Sequence, residues 1–168
     1  MPDLLLYFST AACWLALSGL AWKAARPAVA GGPSPQGEMR AEGIVAPVAL
    51  LLHGMLVYRG LVTVEGLDLG VGNAISLIVW ITVLIYWLGS LAYQGLTAIL
   101  GMLAPIALGA VLLQAAIPAH HVVSYAGSPL FTLHFAIAIL AYGLFIVATV
   151  HALLMLAEEK WLHRGILP

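Results

Sequence analysis

Five apolar runs, each about as long as a helix must be to cross a bilayer, limit what this chain can become more than any other feature. They cover residues 4–22, 44–61, 73–93, 96–117 and 130–156. A hydrocarbon core of ~30 Å, at ~1.5 Å of helical rise per residue, asks for about 20 residues. Hydrophobic residues make up 63% of the 168 and charged ones only 8%, and the mean hydropathy is +1.07. Such a composition cannot furnish a water-facing surface. Spanning strands would be about half as long and would alternate apolar with polar residues, whereas these runs are apolar on every side. The expected fold is therefore all-α: one domain, residues 1–168, made of five transmembrane helices.

The basic residues set the expected orientation. Lys23, Arg26 and Arg40 lie between the first two runs, and Lys160 and Arg164 follow the last, while the alternate loops hold only Arg59. Basic loops stay in the cytoplasm, so the N-terminus, the Gly60 to Gly72 loop and the Pro118 to Pro129 loop are expected outside and the C-terminus inside. Ala28-Val29-Ala30 has the look of a signal cleavage site, but the chain opens with Asp3 rather than a basic stretch, so the first run is expected to persist as a helix. Residues 24–42, rich in Pro, Gly and Ala, read as a cytoplasmic linker.

Several function classes drop out. There is no Gly-rich phosphate loop, no HExxH and no carboxylate pair within a span, and Glu65 and Asp68 read as solvated loop residues. Six basic residues scattered along the chain form no nucleic-acid stripe. A lone cysteine, Cys13, allows neither an intrachain disulfide nor a CxxCH haem-attachment site, and reads as a buried, inert core residue.

Polar side chains inside a membrane are the natural functional candidates, and here the histidines stand out. His53 lies six residues before Arg59, or about 9 Å below the boundary that Arg59 should mark. His134 lies some four residues into the fifth run, about 6 Å down. Two imidazoles at one level suit bis-histidine ligation of haem b without a covalent bond, with Arg59 as the partner of a propionate. The competing reading is that each histidine only bonds a carbonyl on a neighbouring helix. His120 and His121 follow Pro118 and read as solvated loop residues. His151, seven and eight residues before Glu158 and Glu159, reads as part of an inner-end polar cluster. Tyr7, Trp22, Tyr58, Tyr93 and Trp161 suit interfacial belts, while Trp80 is too deep for one. Pro105, near the middle of the fourth run and flanked by Gly101 and Gly109, is a place for a kink or a close helix contact.

The stretch Leu51-Leu52-His53-Gly54-Met55-Leu56-Val57-Tyr58-Arg59, followed by Leu69-Gly70-Val71-Gly72-Asn73-Ala74-Ile75-Ser76-Leu77, resembles the cytochrome c assembly membrane proteins of the CcsA/HemX type. Leu133-His134-Phe135-Ala136-Ile137-Ala138-Ile139-Leu140-Ala141-Tyr142 strengthens the likeness, and the chain is most similar to the YpjD-like branch. The resemblance implies a multi-pass protein of the bacterial inner membrane that binds or delivers haem during cytochrome c maturation. It also implies His134 as the outer haem-ligating histidine, with His53 and Arg59 matching a transmembrane histidine and the basic residue after it. Implied partners are haem, apocytochrome c and other assembly subunits, with no reaction catalysed by the chain alone. The family's WGxxWxWD segment is expected after the region of Leu156 and does not occur before Pro168, so the chain is expected to be a truncated or shortened relative. Two rival functions stay open: a scaffold or regulator of tetrapyrrole metabolism that holds no haem, and a small-solute transporter for which Pro105 is the hint.

Overall fold

The computed structural model describes residues 2–29, 38–92, 96–117, 121–123 and 127–163. Five helices carry nearly all of it: α1 (Pro2–Val29), α2 (Glu38–Leu61), α3 (Val71–Ala92), α4 (Leu96–Ala116) and α5 (Pro129–His163). All five are long and apolar enough to cross a membrane, over Leu4–Lys23, Gly43–Leu61, Val71–Ala92, Ile99–Ala116 and Pro129–Leu156. The protein is a multi-pass membrane protein. Continuous apolar sequence leaves the backbone no partner but itself, and the helix satisfies every amide within one segment. The linker residues 30–37, His120, Tyr93 and residues 164–168 lie outside the described residues, as do the side chains of Glu158, Trp161 and His163.

Helices α1 to α4 pack as a cluster, α1 against α2 and α4, and α3 against α4 and α2; α5 lies chiefly along α3. Lipid is as apolar as a leucine side chain, so close packing rather than escape from water holds the helices together. Small residues supply it: Ala46, Ala49, Ala104 and Ala107 are buried in the core beside Trp14, Leu17, Leu50 and Val83. At Gly101 the backbone of α4 meets Ala21 of α1 so closely that a methyl group has no room, whereas Gly109 faces open space. Helix α4 runs unbroken through Pro105, whose ring is exposed. Cys13 is half-buried and free.

One end of the bundle carries a small sheet that the apolar pattern does not announce. Strands β1 (Val62–Thr63) and β2 (Gly66–Asp68) form a hairpin after α2, and β3 (Val122–Val123), from the connection between α4 and α5, adds to β2. All pairing is antiparallel, with Val62 opposite Leu67 and Leu67 opposite Val123. Gly66 sits at φ 145°, a conformation that only glycine adopts readily. Both loops expected on one side of the membrane are thus joined into a single cap.

Candidate functional site

A chain of polar side chains descends from the sheet into the core. Asp68, at the end of β2, is 8% exposed, and its Oδ1 accepts from the backbone N–H of Gly70 at 3.1 Å and of His121 at 3.0 Å. The Leu69 N–H in turn donates to the His121 carbonyl at 2.9 Å. The backbone of His121 is therefore held from both sides while the residue itself is exposed. Asp68 is a structural clasp and not a solvated loop carboxylate.

Below it, Asn73 Nδ2 of α3 donates to the carbonyls of Gly60 at 2.7 Å and Asp68 at 3.0 Å. Gln114 Nε2 of α4 donates to Asn73 Oδ1 at 3.0 Å and, more weakly, to the Leu56 carbonyl at 3.4 Å. Ser76 Oγ donates to Gln114 Oε1 at 2.7 Å and lies 2.9 Å from His53 Nε2. His53 is wholly buried. Its ring stands edge-on to that of Trp14 of α1, centroids 5.9 Å apart and planes at 80°. Two atoms at this deep end, His53 Nδ1 and Trp14 Nε1, are buried without a hydrogen-bond partner among the described residues. Burial of four polar side chains in a membrane is tolerable because each satisfies the next.

His134, the second histidine expected at the site, stands elsewhere. It is exposed on α5 among exposed Leu130, Leu133 and Ile137. Phe131, about one turn before it, and Phe135, the residue after it, stack with centroids 5.9 Å apart and planes within 8°. Matched depth on two helices does not make two rings face each other: His53 points toward α1 and α3, away from solvent, and His134 toward the open side of α5. Arg59 is exposed in the last turn of α2, at the sheet end.

A cavity of about 580 Å³ runs along α2 and α3 and is lined by Pro47, Leu51, Gly54, Tyr58, Trp80 and Trp87 among others. Trp80 lies against Gly54, and its indole N–H donates to the Leu50 carbonyl at 2.8 Å. The cavity is almost entirely apolar, and neither His53 nor His134 lines it. The helix with Pro47, and not the one with Pro105, borders the open space.

At the other end of the bundle His151 of α5 meets Tyr86 of α3, with Nδ1 2.9 Å from the phenol oxygen. The pair forms a helix–helix clasp; the side chain of Glu158, expected in an inner-end polar cluster with His151, lies outside the described residues. Among the described residues no group of three or more His, Cys, Asp or Glu is placed to hold a metal ion. Sequence reasoning missed Gln114 altogether, although a lone glutamine in an apolar helix is the signal that would have found it.

Compared with known families, residues 42–166 match the model described as Cytochrome C assembly protein. Helix α1, and with it Trp14, precedes the matched region. No curated protein and no solved structure gives a significant match.

Proposed function

This chain belongs to the cytochrome c assembly protein family and takes part in cytochrome c maturation, and on that premise we propose that it binds haem b non-covalently and presents it with His134 as ligand. The observation that carries the reading is the exposed imidazole of His134 on the open, apolar side of α5. A charged or polar group in that setting is unfavourable unless something engages it. An accessible ring nitrogen amid leucine, isoleucine and phenylalanine suits an axial ligand with apolar support for a macrocycle. Arg59, at the sheet end, is the candidate partner of a propionate.

His53 fits haem less well. Its ring is wholly buried against Trp14 of α1, and its Nε2 is engaged by Ser76 of α3, so the reading rests on His134. Haem supplies the macrocycle that is later joined to the thiols of an apocytochrome, and the residues of this chain bind and orient it. In the same reading the sheet end faces outward and the membrane is the bacterial inner membrane, as the distribution of Lys and Arg favours. Apocytochrome c and further assembly subunits would meet the protein at that face.

A titration of haem into the detergent-purified full chain tests this. A shifted Soret band with the broad visible absorption of haem held by one imidazole, lost in His134→Ala and retained in a folded His53→Ala, is the expected result. An unchanged spectrum of free haem in the presence of folded protein would overturn it. That second outcome favours a haem-free scaffold, for which the wide exposed face of α5, including Leu140, Phe145 and Leu153, would be the docking surface.

A further inference from the structure

The four side chains below the sheet form a hydrogen-bond chain with only one consistent direction. Its direction is set at the top by groups that cannot change role. The carbonyls of Gly60 and Asp68 only accept, so the atom of Asn73 that faces both must be its NH2 group. Asn73 Oδ1 then faces Gln114 and requires a donor, so Gln114 turns its own NH2 that way, where it also meets the Leu56 carbonyl. That leaves Gln114 Oε1 toward Ser76. A serine hydroxyl has one proton, and it is committed to Gln114 Oε1 at 2.7 Å. Ser76 Oγ can therefore only accept from His53 Nε2, 2.9 Å away. Reversing any single step sets two acceptors or two donors face to face in a buried site, where an unmade bond is expensive.

From this we infer that Ser76, Gln114 and Asn73 are positioning residues that fix His53 as the neutral tautomer with the proton on Nε2 and a bare Nδ1. The bare nitrogen lies at the closed end of the chain, buried, on a ring that stands edge-on to Trp14 of α1. The carbonyls that dictate this choice belong to the α2 end and to β2, so the conformation of the sheet cap selects the protonated nitrogen of a histidine in the membrane core. The inference does not depend on haem.

Nitrogen NMR of the full chain, labelled with 15N-histidine and held in lipid nanodiscs, reads the tautomer directly. The His53 signals are identified by their loss in His53→Gln. In the unsubstituted protein Nε2 is expected to carry the proton and Nδ1 none. Gln114→Leu removes the acceptor that holds the Ser76 proton, freeing that hydroxyl to donate to His53. The Nδ1–H population is then expected to rise about fivefold or more, the factor that corresponds to one ordinary net hydrogen bond. Ser76→Ala is expected to leave a tautomer mixture, and Ser76→Thr to restore the single form. A proton on Nδ1 in the unsubstituted protein, or nitrogen signals that ignore Gln114→Leu in a folded sample, would overturn the inference. The first of these needs no variant to fold.

Discussion

His151 lies nearly flat on Tyr86, ring centroids 5.5 Å apart and planes within 12°. The His151 Nδ1 and Tyr86 Oη are 2.9 Å apart, and the phenol also reaches the Val147 carbonyl at 3.2 Å. This contact joins α5 to α3, beside the packing of Val147 and Val150 on the core. Tyr86→Phe keeps the stacking and loses the hydrogen bonds, for an expected cost of about 0.6–1.7 kcal/mol. His151→Ala also loses the stacked pair, worth a further ~0.5–1.5 kcal/mol. Unfolding of the purified protein by SDS, followed by far-ultraviolet circular dichroism, should rank Tyr86→Phe between the parent and His151→Ala.

Gly60 is the roof under which the polar chain passes. A Cβ there would stand 2.6 Å from Gln114 Nε2 and 2.7 Å from Asn73 Oδ1. Both belong to side chains pinned by other bonds, so Gly60→Ala is expected to destabilise by about 1–3 kcal/mol, as overpacking does. Gly109→Ala, where a methyl group meets nothing within 4 Å, is the control expected to leave stability unchanged or slightly raised. Equal midpoints for the two variants would show that the amides are free to move aside.

Asp68 holds two backbone amides from one oxygen. Hydrogen bonds to a charged acceptor contribute about 1.5–3 kcal/mol, so Asp68→Ala should release the sheet edge. Asp68→Asn retains a carbonyl oxygen and should cost less. Hydrogen exchange is the measurement: the amides of Gly70 and His121 are expected to lose protection in Asp68→Ala before any helix does.

Trp14 is completely buried, and its indole nitrogen lacks a partner among the described residues. A buried N–H that makes no bond is a cost, and removing it offsets part of the lost packing, so Trp14→Phe is expected to change stability by less than about 1.5 kcal/mol despite the loss of volume. Trp14→Ala empties the space against His53 and should cost ~3–5 kcal/mol. If Trp14→Phe proved as damaging as Trp14→Ala, the indole N–H would have to be engaged in the membrane-embedded protein.

The five helices were legible because a run of twenty apolar residues has essentially one solution in lipid. Strands of two or three residues, such as Val62–Thr63 and Val122–Val123, carry too little alternation to read, and their pairing depends on where α4 ends relative to α2. The relation of His53 to His134 went astray for a specific reason. Helical rise gives the depth of each ring, but the rotation of each helix about its axis decides what it faces, and in an evenly apolar helix no polar side marks that rotation. Ser76, Asn73 and Gln114 escaped notice similarly: they lie on two helices, and only packing shows that they converge under Gly60. Asp68, read as solvated, is buried because β3 arrives from far along the chain to cover it.

That last arrangement has a consequence for how the protein is made. Leu67 pairs with Val123, so β2 must wait beside the membrane, with its outer edge unpaired, until α3 and α4 have both been synthesised and inserted. Asp68 has no His121 amide to bind during that interval. The cap therefore closes last: it forms only after the middle helices have been made and have brought Val122 and Val123 beside β2, and a nascent chain that stalls before Val122 leaves an open strand edge and a carboxylate missing one of its two amides.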